Sequence, residues 1–138
     1  MSDKGQLFVV GTPIGNLEDI TLRAISTLQN VQIILAEDTR NSKKLLDAHN
    51  IDTKMISYHD HSSEKEIKKI VNLLLEGQDL ALISDAGTPT ISDPGYGLIR
   101  DCIKHDISIV PIPGASSITA AMSISGLPSD SFLSLIHI

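Results

Sequence analysis

The sequence predicts an α/β fold, a largely parallel five-stranded sheet flanked by helices. Three observations predict it. Short apolar runs at residues 7–10, 31–36, 54–58, 80–83 and 107–111 have the length and composition of strands. The segments between them space their apolar residues as helices do, and such alternation implies a parallel sheet covered on both faces. Four of the strands run into Gly/Pro-rich or charged loops, which a parallel sheet gathers at one edge, where open α/β sheets take their ligands.

With 138 residues the chain fits one domain, large enough to bury roughly two-thirds of its unfolded surface. It has two Tyr, two Phe and no Trp, so its core is built from Ile, Leu, Val and Ala. A single cysteine, Cys102, excludes an intramolecular disulfide, favours a reducing compartment and sits in an apolar helical pattern as a buried structural thiol. No apolar run approaches the roughly 18 residues of a membrane span, and the first four residues do not read as a signal peptide, so a soluble, cytoplasmic protein is expected. The net charge of −6 argues against a large nonspecific nucleic-acid surface but leaves room for a local one. Arg40, Lys43 and Lys44 form one basic cluster; Lys65, Lys68 and Lys69 form another, beside Glu64 and Glu66, which reads as a self-compensated solvated face.

Taken in order, the first strand ends in Gly11-Thr12-Pro13-Ile14-Gly15-Asn16, where two Gly and a Pro let the backbone turn sharply and approach a ligand. This is neither Gly-x-Gly-x-x-Gly nor a P-loop, so no nucleotide motif is met. Asp19 or Thr21 caps a helix with Leu22, Ala24, Ile25 and Leu28 on one face. The second strand runs into Glu37-Asp38-Thr39-Arg40; Asp38 or Thr39 either caps the next helix, residues 42–49, or serves a site, and Arg40 leans to the site. The third strand precedes His59-Asp60-His61, which lacks the Cys or His-x-x-x-His partners of a zinc site and reads as a polar loop. The next helix carries Ile67, Ile70, Val71 and Leu74 on one face and stops at Gly77.

The stretch after the fourth strand, Ser84-Asp85-Ala86-Gly87-Thr88-Pro89-Thr90-Ile91-Ser92-Asp93-Pro94-Gly95-Tyr96-Gly97, is long for a strand-to-helix connection, usually about 2–6 residues. It reads as a binding floor. After the fifth strand, Pro111-Ile112-Pro113-Gly114-Ala115-Ser116-Ser117 leads into an Ala-rich helix over 118–125, whose amino terminus suits a carboxylate or another acceptor-rich ligand; Ser116 or Ser117 also serves as its cap. The apolar end, Leu133 to Ile138, carries no cap and coincides with one reading frame of a transposon-end sequencing adapter. Residues 1–132 are therefore expected to be the native domain and 133–138 a non-native tail, with a second domain missing.

Taken together, residues 7–16, Ala36-Glu37-Asp38-Thr39-Arg40, Ser57-Tyr58-His59, residues 84–96, 111–117 and Ser125-Gly126-Leu127-Pro128 closely resemble the ribosomal RNA small subunit methyltransferase I family of the tetrapyrrole-methylase-like superfamily. Thr-Pro-Ile-Gly-Asn-Leu-Glu-Asp-Ile-Thr (residues 12–21) and the pair Ser-Asp-Ala-Gly-Thr-Pro and Ser-Asp-Pro-Gly (within 84–95) carry most of that resemblance. It implies the amino-terminal domain of a class III methyltransferase. The expected reaction is S-adenosylmethionine-dependent methylation of a cytidine 2′-hydroxyl in 16S ribosomal RNA, by a homodimer whose two domains clamp the cofactor. No metal and no membrane are implied.

By analogy with tetrapyrrole methylases, the cofactor loops map onto Gly11, Pro13 and Ile14, onto Asp85, Ala86, Gly87 and Thr90, and onto Ser116 and Ser117. Relatives often carry Gly-Gly-Asp-Pro where this chain has Asp85-Ala86-Gly87-Thr88. The reaction calls for alignment and a base within hydrogen-bond reach. Glu37, Asp38, Asp85, Asp93 and His59 are the candidates, and Arg40, Lys43 and Lys44 are the candidate phosphate contacts. A relative acting on a tetrapyrrole precursor and a catalytically inert half-site are the alternatives. The first fits Glu37-Asp38-Thr39-Arg40 and Ser57-Tyr58-His59 less well.

Overall fold

The structure, a computed structural model, describes residues 3–59, 62–91 and 95–135. Five four-residue strands, β1 (Leu7–Val10), β2 (Ile33–Ala36), β3 (Lys54–Ser57), β4 (Leu80–Ile83) and β5 (Ile109–Ile112), form one sheet in the order β3-β2-β4-β1-β5. Every pairing is parallel, with Leu7 opposite both Leu80 and Ile109. The connecting helices are α1 (Leu22–Asn30), α2 (Thr39–Ala48), α3 (Glu64–Leu75) and α4 (Tyr96–Lys104), and α5 (Ser117–Ile124) follows β5.

Alternate strand residues point to opposite faces, which divides the core in two. Leu7, Ile33, Leu35, Leu80 and Leu82 meet Ile70, Val71 and Leu74 of α3 and Leu98 and Cys102 of α4. Val10, Ile34, Ala36, Ala81, Ile83 and Ile112 meet Ala24 and Leu28 of α1 and Leu45 and Leu46 of α2. The central strand β4 is buried on both faces, which is why its sequence, Leu-Ala-Leu-Ile, shows no polar alternation.

Element ends depart from the sequence expectation for identifiable reasons. β2 begins at Ile33 rather than Val31, because the Val31 N–H closes α1 on the Thr27 carbonyl. Helix α2 begins at Thr39, a turn ahead of expectation, because Asp38 caps it. Three helices end on one device, a residue at positive φ followed by an N–H that reaches back five residues. Asn50 precedes Ile51→Leu46 O (2.9 Å), Gly77 precedes Gln78→Leu73 O (3.1 Å), and Asp106 precedes Ile107→Cys102 O (3.0 Å). Ile107 therefore belongs to the turn and the core beneath α4, and β5 starts two residues after it.

The lysines of α3 stand exposed without ion pairs to Glu64 or Glu66, so solvation rather than mutual compensation carries them; the ion pair among the described residues is Lys43–Asp47. Helix α5 buries none of its residues, and Ile124, Leu127 and Phe132 stand exposed. Among the described residues no helix is long and apolar enough to cross a membrane.

Cys102 is fully buried, as the sequence led us to expect. Burial, aided by the neighbouring Asp101 charge, pushes its thiol up to about 12. An unfolded thiol ionises near 9.0, so the unfolded state loses its proton first and stability should fall as pH rises from about 9 to about 12. At pH 8 the native thiol should resist a disulfide-exchange reagent that labels the urea-unfolded chain at once. Rapid labelling of the native protein would show that the α4 face of the core is open.

Candidate functional site: two hollows at the β1–β4 junction

Strands β1 and β4 are neighbours, but the chain leaves them in opposite directions: from β1 toward β2 and β3, and from β4 across β1 to β5. The helices that follow, α1 and α4, accordingly lie on opposite faces, and a crevice opens between the two strand ends. The loops bounding this crevice are tied together. Thr12 and Gly87 exchange both backbone hydrogen bonds (3.0 and 3.1 Å), and the Thr12 hydroxyl lies within reach of the Ser84 and Gly87 carbonyls (3.4 and 3.3 Å). From the other loop the Ser84 hydroxyl donates to the Ala86 carbonyl at 3.0 Å. Thr12 and Ser84 are 1 % and 4 % exposed, so these bonds are shielded from water. Gly87 holds φ 74, a conformation that disfavours any side chain. The β5 loop joins in: a Cβ at Gly11 would stand 2.8 Å from the backbone of Gly114, so the two chains pass in direct contact.

Two hollows flank this junction. The first, about 330 Å³, lies between the β4 loop and the start of α5, lined by Ile14, Ala86, Gly87, Thr88, Ile91, Ala115, Ser116, Ser117 and Ile118. Three isoleucines stay 37 %, 61 % and 36 % exposed there (Ile14, Ile91 and Ile118), an apolar rim without a partner among the described residues. Ser116 caps α5, its Oγ accepting from the Thr119 N–H at 3.5 Å. The second hollow, about 380 Å³, lies toward α2 and is lined by Thr12, Pro13, Ile14, Gly15, Leu17, Asn41, Ser42, Lys44, Leu45, Ser84, Asp85 and Ala86. The His49 ring donates from Nε2 to the Leu17 carbonyl at 2.8 Å and so ties the β1 loop to α2 along this wall.

The expected cofactor residues divide between the hollows. Gly87, Ser116 and Ser117 line the first, Pro13 and Asp85 the second, and Ile14 and Ala86 form the ridge common to both. Gly11 lies buried beneath, and Thr90 lines neither hollow; at φ 74 it packs its methyl where a Gly95 Cβ would sit.

The expected catalytic and phosphate-binding residues are more dispersed. The Asp38 carboxylate accepts from the N–H groups of Arg40 (2.9 Å) and Asn41 (3.3 Å) as the cap of α2. Glu37 is half-buried, its carbonyl accepting from the Ser57 hydroxyl at 3.5 Å. His59 is exposed beyond β3, its N–H donating to the Ser62 hydroxyl. Asp93 lies outside the described residues, as do Asp60 and His61. Arg40 is exposed and lines neither hollow, Lys43 pairs with Asp47 at 3.3 Å, and Lys44 lines the second hollow. Among the described residues no three His, Cys, Asp or Glu side chains are grouped closely enough to hold a metal.

Asn41, Ser42, Leu45, Ile91 and Ile118 line the hollows without having been singled out from the sequence. The cap by Asp38 was the signal for the first three, since it places residues 41, 42 and 45 on one face of α2's first turns.

Residues 6–138 match the family of tetrapyrrole (corrin/porphyrin) methylases. The chain belongs to that family. Among its members, the chain is 54 % identical to the ribosomal RNA small subunit methyltransferase I of Halalkalibacterium halodurans, over 94 % of this chain and 45 % of that protein. It is 49 % identical to the Thermotoga maritima protein of the same name, over 94 % of this chain and 58 % of that one. The chain thus spans about half the length of the curated relatives it matches. Solved structures of tetrapyrrole methylases share the fold. Uroporphyrin-III-C-methyltransferase from Thermus thermophilus superposes with a TM-score of 0.65 at 22 % identity, covering 91 % of this chain and 53 % of that one. Cobalt precorrin-4 methyltransferase superposes with a TM-score of 0.68 at 18 % identity, covering 90 % and 53 %.

Replacing Asp38 by Ala should lower the unfolding free energy by about 1 kcal/mol, the usual value of a helix cap, while Asp38→Asn should retain most of it. Urea denaturation of the two variants checks this. Equal midpoints for Ala and wild type would mean that the carboxylate does not hold α2.

Proposed function

We propose that this chain forms one wall of the cleft of an S-adenosylmethionine-dependent methyltransferase, and that the whole protein methylates a cytidine 2′-hydroxyl in the RNA of the small ribosomal subunit. The observation that carries the reading is the tied β1–β4 junction with a hollow on either side of Ile14 and Ala86. The ribosomal names of relatives about half identical to the chain favour RNA over a tetrapyrrole as acceptor, since the tetrapyrrole enzymes that share the fold are far more distant.

The first hollow fits the cofactor's chemistry. Ile14, Ile91 and Ile118 offer apolar surface for a flat heterocycle. The backbone at Gly87 permits close approach, and the amino end of α5 favours a carboxylate. S-adenosylmethionine supplies a methyl group already activated on a sulfonium. The chain's task is then to hold donor and acceptor in line and exclude water. Asp85, which lines the second hollow, serves in this reading to accept a hydrogen bond from a substrate hydroxyl. Arg40 and Lys44, near the start of α2, present positive charge to a phosphate backbone beside that hollow. A second domain, in the part of the relatives this chain does not span, supplies the facing wall and covers the exposed apolar surface of α5.

Calorimetry with S-adenosylhomocysteine tests the cofactor assignment. The chain should bind it, and Ile118→Asp should weaken binding at least about tenfold by placing a charge on the apolar rim, with the circular-dichroism spectrum unchanged. Equal affinity in the variant would remove the first hollow from the reading. In a protein extended to the relatives' full length, Arg40→Ala should weaken RNA binding and reduce its salt slope by about one. An unchanged slope would mean that Arg40 touches no phosphate.

A further inference from the structure

We propose that Thr90 is a positioning residue for the first hollow: it holds a strained left-handed turn that carries Ile91 over the hollow's rim. The proposal deepens the cofactor assignment above and rests on it. Among the described residues, three other than glycine take a positive φ: Asn50, Thr90 and Asp106. Asn50 and Asp106 are of the types that tolerate this conformation, and both close helices. Thr90, at φ 74, is β-branched and closes no helix. Such a residue is a true outlier there, and it persists only where the surrounding structure over-determines it.

The neighbours do so. Pro89 is fully buried, and a proline followed by a positive φ is the pattern of a type II turn, whose third position ordinarily takes Gly or Asn. Threonine stands there instead, and its methyl is used. A Cβ at Gly95 would lie 2.9 Å from Thr90 Cγ2 and 2.8 Å from Leu82 Cδ2, so the methyl is wedged between the amino end of α4 and the β4 side of the core. One residue on, Ile91 turns out of the core, 61 % exposed, onto the first hollow. Buried Pro89 and the wedged methyl together fix the direction in which the chain presents it.

Glycine at position 90 would take the turn without strain but would lose the wedge. Threonine gives up stability for a fixed rim. The benefit falls on binding: an apolar side chain that must be ordered when the ligand arrives subtracts that ordering from the affinity. Held in advance, Ile91 meets a flat heterocycle without that loss.

The test compares Thr90→Gly, Thr90→Ala, Thr90→Val and Ile91→Ala in the 138-residue chain. The readouts are urea denaturation, the Ile91 δ1-methyl NMR line without ligand, and calorimetry with S-adenosylhomocysteine. Thr90→Gly should unfold at higher urea than Thr90→Ala, the reverse of the ordinary order, because glycine alone is free of the strain. Its Ile91 methyl line should shift and broaden, while Thr90→Val, which keeps the wedge, should leave the line in place. Affinity for the thioether should fall about fivefold in Thr90→Gly and about tenfold in Ile91→Ala. The double variant should bind no more weakly than Ile91→Ala alone, since Thr90 acts through Ile91. A role confined to the turn would move the urea midpoints and leave the methyl line and the affinities at their wild-type values. That result, an Ala midpoint above the Gly midpoint, or effects that multiply in the double variant would each overturn the proposal. A wild-type chain that binds no thioether, with the methyl line responding as stated, defeats the methyltransferase reading and leaves the role of Thr90 standing.

Discussion

Everything at the functional edge depends on the pair of hydrogen bonds between Thr12 and Gly87. They join the loops that leave the two neighbouring strands β1 and β4, at the point where the chain's path reverses direction across the sheet. A loop of the length seen after β4 would ordinarily be free to move. Here its first turn is pinned to the β1 loop by backbone bonds, by the buried hydroxyls of Thr12 and Ser84, and by a glycine at positive φ. Ile14 and Ala86 are held as a ridge between two hollows because the turn beneath them cannot open without exposing those bonds.

The sheet below makes that pinning possible. Four-residue strands bury little area each, so the fold relies on β4 being covered on both faces and on helices that end sharply enough to return the chain at once. The left-handed turns at Asn50, Gly77 and Asp106 do this, and buried Ile51 and Ile107 anchor two of them. The result is a row of strand ends held below and irregular loops gathered above them.

The strand and helix positions were legible because apolar periodicity reports burial directly, and the β4 loop stood out through its density of turn-forming residues. The limits of the elements were less legible. Val31 and Ile107 are apolar and adjoin strands, yet both serve helix ends, and composition does not separate a strand residue from a hydrophobic anchor in a turn. Charge was similarly ambiguous. Glu64 and Glu66 stand at pairing distance in sequence from the α3 lysines, but exposed side chains gain so little from pairing that solvation holds them apart.

From the sequence alone came the alternation of strands and helices, the parallel sheet, the buried thiol at Cys102 and the edge at which the loops gather. These depend on local pattern and on rules common to all parallel sheets. The tertiary structure decided which loop residues share a hollow. It placed Asp85 beside Asn41 and Lys44, apart from Ser116 and Ser117, and turned Ser42 inward. Those groupings arise from strand order and from the contact between residues 12 and 87, a separation in sequence that no local pattern encodes.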